Sequence, residues 1–94
     1  MNDGRAQIIE KEEIKFLQFP KEEVLNSKTE RHERNRTLER ALTLGNLEHQ
    51  KVGIFFKDSN GFKKVETTVW GLTDKSVILK KSTVIPLERI LRIS

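Results

Sequence analysis

The chain has 94 residues, of which 35% are apolar and 34% are charged, and its formal net charge is +4. This length is typical of one small domain and argues against a deep active site built from many elements. The absence of cysteine excludes a disulfide framework and a thiolate metal site. No window approaches the roughly 18 apolar residues of a membrane span, and residues 1–30 hold no apolar run of signal-peptide length, so we expect a cytoplasmic protein that does not enter a membrane.

Charge is distributed unevenly along the chain. Residues 1–26 carry four basic and six acidic side chains, residues 27–51 carry six and four, and residues 52–94 carry eight and four. The gradient is compatible with steering between an acidic segment and a basic domain, with a basic surface for a polyanion, and with ordinary solvated surface.

Residues 1–26 are predicted to be a poorly ordered or loosely packed segment. Met1–Arg5 has almost nothing to bury. Ile14–Phe19 can be interpreted as a short extended piece, although a helical interpretation fits about as well. Pro20 ends this piece, because proline disfavours a helical conformation of the residue before it.

A helix is predicted from about residue 28 to Leu44. Ser27–Glu30 matches the capping box, in which serine and glutamate side chains satisfy the first free amides of a helix. Gly45-Asn46 supplies a left-handed stop. The core-facing positions lie only in the second half of the helix: Leu38, Ala41 and Leu42.

Strand-like runs and tight turns fill the rest of the chain. The predicted strands are Val52–Lys57, Phe62–Thr73, Val77–Lys80, Thr83–Ile85 and Ile90–Ile93. Asp58–Gly61 predicts a tight hairpin, since Asn-Gly readily takes positive φ angles. Gly71 offers a place for the long second strand to bend. Pro86 ends the fourth strand or places it at an edge, and Leu87–Arg89 fits one helical turn.

This order of elements over about residues 36–94 resembles the Sm-like and SH3-like small-barrel group. We therefore expect a mainly β (α+β) fold, a five-stranded SH3-like or Sm-like small barrel preceded by one N-terminal α-helix, with the helix and barrel forming a domain over residues 27–94. The RNA-binding Sm branch carries aspartate-glycine and arginine-glycine signatures where this chain has Glu66–Thr68 and Leu87–Arg89. Through Glu66–Trp70 and Ile85–Ile90 the chain also resembles a group of short uncharacterised bacterial proteins, and that resemblance implies no function.

The sequence argues against catalysis. His32 and His49 are the only histidines and lie far apart in the chain. The five glycines are scattered, so no phosphate-binding glycine loop is formed. No serine or threonine sits in a nucleophile-elbow pattern. We expect a protein that is not an enzyme and that has no metal and no cofactor.

Three non-enzymatic functions stay open. The first is a protein-interaction or assembly module, which would self-associate through barrel edges or dock on an acidic partner through Arg31, Arg34 and Arg36. The second is a small barrel that binds RNA or single-stranded DNA, with Trp70 or Phe62 stacking on bases. Its phosphate-neutralising residues would be Lys63, Lys64, Lys80, Lys81 and Arg92. The third is a ligand-free accessory domain. Each named residue also has a structural explanation, as a solvated or edge-protecting lysine or as a core tryptophan.

Overall fold

The computed structural model describes residues 6–80 and 83–94. In chain order its strands are β1 (Gln7–Ile9), β2 (Val52–Asp58), β3 (Gly61–Thr67), β4 (Val69–Leu72), β5 (Ser76–Leu79), β6 (Val84–Pro86) and β7 (Ile90–Ile93). One α-helix, α1 (Lys28–Glu48), precedes β2. Two 3-10 helices complete the described elements: Lys11–Phe16 after β1, and Leu87–Arg89 between β6 and β7.

The strands form two sheets. The first has the order β1-β3-β2-β7, and the second has the order β4-β5-β6. Among the strands of the described residues, only β1 and β3 pair in parallel. α1 packs against β4 and β7, while the first 3-10 helix packs against β3 and β6. Each sheet therefore contacts both α1 and the first 3-10 helix.

The prediction of a five-stranded small barrel preceded by one helix is wrong. The described residues form an α+β fold with seven strands in two sheets and no closed barrel. The difference arises at two places. Gln7–Ile9 adds a strand that the sequence pattern did not show. The long predicted strand is interrupted at Thr68, so its halves, β3 and β4, belong to different sheets.

Residues 1–26 were predicted to be poorly ordered or loosely packed; Met1–Arg5 lies outside the described residues, and residues 6–26 contribute directly to the core. Ile9, Ile14 and Leu25 are buried. Ile14 lies in the first 3-10 helix, so the helical interpretation of this stretch is closer than the extended one. The backbone amide of Val24 donates to the carbonyl of Glu88 at 2.8 Å, which fixes the end of this segment beside the second 3-10 helix.

The predicted start of α1 is confirmed, but its predicted end is wrong. The Ser27 hydroxyl accepts the Glu30 amide at 3.3 Å. The helix continues through Gly45 and ends at His49, which takes the left-handed conformation with φ 55°. Gly45 faces the sheet, where a Cβ would overlap the carbonyl oxygen of Val69. Glycine is therefore needed here for close helix–strand packing rather than for termination.

The core lies between the two sheets and α1. Its largest fully buried side chains come from the first 3-10 helix, from α1 and from β2 to β7: Ile14, Leu38, Ile54, Phe56, Val65, Val69, Val77, Leu79, Ile85 and Ile90. Within the described residues, no helix is both long enough and apolar enough to cross a lipid bilayer.

Candidate functional site

The only tryptophan of the chain, Trp70, is half-exposed beside a polar cleft. Its side chain is 51% exposed, whereas the preceding Val69 is completely buried. The pairing of β4 with β5 shifts register between Val69 and Gly71, so Trp70 occupies a β-bulge. Bulges re-aim single side chains while the flanking ladder is kept. The local backbone thus presents Trp70 outward without disturbing the buried residue next to it.

The cleft beside Trp70 has a volume of about 240 Å³. It is formed where the end of α1, the start of the first 3-10 helix and the ends of β3 and β5 meet. The side chains that line it are mostly polar and of both signs: Glu10, Lys11, His49, Lys51, Glu66, Thr67, Thr68, Trp70 and Lys80. The Thr68 hydroxyl donates to the His49 carbonyl at 3.3 Å, which joins the floor of the cleft to the end of α1.

The cations of the cleft differ in how much of their charge is available. Lys11 is paired with Glu12 at 3.1 Å. Lys51 and Lys80 are exposed, and neither is ion-paired to another described residue. These two ammonium groups are the positive charges that a ligand beside Trp70 would meet.

An apolar strip continues from Trp70 across the outer face of the second sheet. Gly71, Ile78 and Val84 lie opposite one another on β4, β5 and β6. Their sequence neighbours Val77, Leu79 and Ile85 are completely buried, so Ile78 and Val84 face outward. Val84 is 44% exposed. A Cβ on Gly71 would lie 3.1 Å from Cδ1 of Ile78, so the missing side chain leaves room for Ile78 to lie over β4. We call Trp70, Gly71, Ile78 and Val84 the Trp70 strip.

The predicted edge position of Pro86 is confirmed, because β6 is the outer strand of its sheet and ends at this residue. The residues that flank β6 point toward the β5 side, because the Thr83 carbonyl accepts from the Leu79 amide and the Leu87 amide donates to the Lys75 carbonyl. By alternation, the backbone groups of Val84 and Pro86 point the other way. Proline has no amide hydrogen, so Val84 supplies the single outward N–H of β6. This edge is poorly suited to pairing with another strand.

The residues predicted to bind nucleic acid do not form one surface. Trp70 and Lys80 share the cleft. Lys64 and Arg92 instead lie over the buried ring of Phe55, with Nζ and Cζ at 5.1 and 4.4 Å from its centroid. Lys81 lies outside the described residues. Phe62 also packs on Phe55, with ring centroids 5.8 Å apart, and so helps to cover the outer face of the first sheet.

Lys63 is used by the fold. Its ammonium group lies 3.1 Å from Oδ1 of Asp58, and both side chains are buried. The burial of Lys63 could have been predicted from the alternation of the strand, because Lys63 shares a face with Val65, which packs in the core. Asp58 Oδ2 has no hydrogen-bond partner among the described residues.

The three arginines predicted to bind a partner also do not form one surface, because they differ in burial and in their contacts. Arg31 donates to the carbonyl of Leu25 at 3.0 Å. Arg34 is buried and donates to both carboxylate oxygens of Glu23, at 2.7 and 2.9 Å, and to the carbonyl of Ile90 at 3.1 Å. Arg36 is exposed. Arg34 lies four residues before the buried Leu38 and so on the same face of the helix. The burial of Arg34 could therefore also have been predicted from the sequence.

The pKa of the Glu23 carboxyl group is set by burial and by hydrogen bonds and charges that oppose it. Burial alone raises the pKa of its carboxyl group, but the hydrogen bonds from Arg34 and the Leu25 amide and the charges of Arg34 and Arg31 outweigh burial. The net result is a pKa below the ordinary value of 4.5. This pair therefore belongs to the structural framework.

The Trp70 strip was missed by the sequence analysis as a continuous surface. Its signal was the alternation of Ile78 with the core residues beside it, but the partner strand and register were needed to place Val84 opposite Ile78. Among the residues described, no three histidine, cysteine, aspartate or glutamate side chains are grouped so that they could hold a metal ion. No family model matches the chain, and neither the curated proteins nor the solved structures include a significant match.

Proposed function

We propose that this protein is a non-enzymatic protein-interaction module whose Trp70 strip binds an extended segment of a partner protein. The observation that carries the proposal is the half-exposed Trp70, set on a rigid sheet between the apolar Ile78 and Val84 and a cleft with free lysines. Tryptophan is among the residues most enriched at the energetic centres of protein interfaces.

The arrangement has the anatomy of an interface centre. An apolar patch meets a polar rim, which is how protein interfaces combine desolvation with orientation. The ring of Trp70 supplies a large contact area at a low conformational-entropy cost. Gly71 adds no side chain of its own beside Ile78 on this face of the sheet. A partner side chain can therefore lie flat against this part of the sheet.

The composition of the site favours a protein segment over a nucleic-acid strand here. Glu10 and Glu66 line the cleft and would repel phosphates. Ile78 and Val84 are aliphatic and offer no second stacking surface for a base. The proposed segment has an apolar side chain for the strip, followed by an acidic side chain that reaches Lys51 or Lys80.

The face of the sheet, rather than its edge, carries the proposed contact. Pairing along β6 would have only the Val84 N–H as a donor at that edge, because Pro86 has none. Side-chain packing on the Trp70 strip does not need this ladder. We therefore propose binding of a different chain to the face of this sheet rather than self-association through the β6 edge.

The test is selection from a random-peptide display library followed by fluorescence titration. Because Trp70 is the only tryptophan, a peptide bound at the strip must change the tryptophan emission of the whole protein. We expect selected peptides to share an apolar residue next to aspartate or glutamate. Trp70→Ala should weaken binding by about 30-fold, which corresponds to roughly 2 kcal/mol at an interface centre. Because this variant has no tryptophan, its affinity and that of the unmodified protein are compared through the fluorescence anisotropy of a labelled selected peptide.

Phe16→Ala is the matched control, since Phe16 is an exposed aromatic residue outside the strip. It should bind the selected peptides like the unmodified protein. Far-UV circular dichroism should show the same fold for both variants. A library that yields no peptide above background, or a Trp70→Ala variant that binds with unchanged affinity, would contradict the proposal.

A further inference from the structure

The outward face of α1 carries a line of basic side chains that winds by about 120° around the helix axis, because residues four apart are offset by about 40°. Lys28, His32, Arg36 and Arg40 follow one another at intervals of four residues, and all four are exposed. With a rise of 1.5 Å per residue, successive members are about 6 Å apart along the axis, and the line is about 18 Å long. It lies opposite the buried line of Arg34, Leu38, Ala41 and Gly45. We call these four residues the basic stripe.

The stripe keeps its charge available. Among the described residues, none of its four side chains is ion-paired. Arg31 and Arg34 of the same helix are turned toward the fold and hydrogen-bonded there. The structure therefore separates the basic residues that hold the domain together from those that face solvent.

Acidic residues of the helix lie mostly to one side of the stripe. Glu30 and Glu33 line the groove between α1 and β7. On the other side, Lys28 and His32 border a groove shared with Thr29, Arg31 and Asn35, which holds no acidic side chain. Glu39 is the one acidic residue of α1 that lies within the stripe by helical spacing. The N-terminal half of the stripe also lies at the positive end of the helix dipole, which adds to its field.

We propose that the basic stripe binds the phosphate backbone of a nucleic-acid strand. A protein partner would need an apolar centre, and a membrane surface would need an apolar helix face. The line from Lys28 to Arg40 provides neither, because the exposed positions between its members are polar. Phosphate neutralisation requires only cations at a regular spacing, and it binds without reading sequence.

The stripe and the Trp70 strip are separate sites, so this proposal does not depend on the proposed protein partner. The test is fluorescence anisotropy of the full chain with a labelled oligonucleotide, offered single-stranded and as a duplex. Three permanent cations, Lys28, Arg36 and Arg40, predict that log K falls with log salt concentration with a slope of about −2 to −3. Comparing the affinities for the single-stranded and the duplex oligonucleotide shows which of the two the stripe prefers.

The decisive comparison uses two double variants with the same loss of charge. Arg36→Gln with Arg40→Gln should weaken binding at low salt by at least about tenfold and make the slope shallower by about 1.5. Lys21→Gln with Lys75→Gln removes two exposed lysines outside the stripe and should change neither quantity appreciably. Arg36→Lys with Arg40→Lys should keep the salt slope, because the charges are retained. Circular dichroism confirms that α1 is intact in each variant.

Three results would overturn the proposal. The first is no binding of either oligonucleotide at low salt. The second is equal weakening by the two glutamine double variants, which would indicate net charge rather than the stripe. The third is displacement by polyglutamate as effective as displacement by unlabelled oligonucleotide, which would indicate an acidic protein partner. Unchanged binding by Trp70→Ala is expected and keeps this test independent of the Trp70 strip.

Discussion

Replacing Glu23 by glutamine tests how residues 6–26 are held to the domain. Glu23 lies in the connection before α1 and accepts two hydrogen bonds from the buried guanidinium of Arg34. Glutamine keeps one acceptor oxygen but removes the negative charge, so Arg34 stays buried with a poorer partner. Breaking a fully buried ion pair costs about 3–5 kcal/mol. The side chain of Glu23 is 30% exposed, and solvent screening reduces the expected loss to about 2 kcal/mol.

This loss should depend on pH in a defined direction. The pKa of Glu23 is lower in the folded protein than its ordinary value of 4.5, so the carboxylate stabilises the fold above that pH. As the pH falls through the lowered pKa, the carboxylate is protonated and its contribution is lost. The unmodified protein should then approach the stability of the Glu23→Gln variant.

Urea denaturation followed by far-UV circular dichroism measures both quantities. At neutral pH we expect the free energy of unfolding to fall by about 2 kcal/mol, which is a large part of the roughly 5–14 kcal/mol typical of a chain of this size. Glu22→Gln is the control, because Glu22 is exposed and is held through its backbone carbonyl by Arg89. An equal loss for Glu23→Gln at neutral and acidic pH, or no loss at neutral pH, would refute the role given to this pair.

Two further substitutions test the packing that positions the candidate sites. Gly45→Ala gains about 1 kcal/mol of helix propensity but forces a Cβ onto the Val69 carbonyl, so we expect a net loss of about 1–2 kcal/mol by urea denaturation, whereas Asn46→Ala on the exposed side of the helix should stabilise the protein. Lys63→Met leaves the buried carboxylate of Asp58 without its cation and should cost at least about 3 kcal/mol, and adding Asp58→Asn should recover much of that loss. Destabilisation of the double variant beyond Lys63→Met alone would contradict this interpretation.

Local sequence signals predicted the local structure well where backbone chemistry alone decides it. The Asp58–Gly61 hairpin is present, with the Asn60 amide donating to the Asp58 carboxylate at 2.9 Å and Gly61 at φ 132°. The Ser27 cap and the end of β6 at Pro86 are also present. Each of these features depends on the few residues around it, so one sequence is sufficient.

The errors came from interactions between residues distant in the chain. Gly45 was interpreted as a helix stop, because the approach of Val69, 24 residues later, is invisible in the local pattern. The strand Gln7–Ile9 exists only because β3 offers it a free edge for parallel pairing. The barrel prediction failed similarly, since β3 and β4, which Thr68 separates, pair with strands of different sheets. The Thr68 hydroxyl at this break is bonded to the His49 carbonyl at the end of α1, 19 residues earlier in the chain.

The basic residues show why the candidate sites could be predicted only in part. A net charge of +4 indicated a basic surface but could not say which cations the fold itself uses. Lys63 neutralises the buried carboxylate of Asp58, and the buried Arg34 pairs with the partly exposed carboxylate of Glu23. Arg89 donates to the carbonyls of Lys57 and Glu22. The other exposed cations of the described residues include those of the basic stripe of α1 and the two lysines of the cleft beside Trp70.

These two surfaces make different demands on a ligand, and that difference is the strongest argument for treating them separately. The basic stripe has charge without an apolar centre, so its binding energy must come from counterion release and must weaken steeply with salt. The Trp70 strip has an apolar centre with two nearby lysines, so salt should affect mainly its association rate. A ligand whose binding is lost in Trp70→Ala but depends only weakly on salt belongs to the strip. A ligand whose binding is unchanged in Trp70→Ala but weakens steeply with salt belongs to the basic stripe. Trp70→Ala and the Arg36→Gln, Arg40→Gln double variant together therefore assign a ligand to one of the two surfaces.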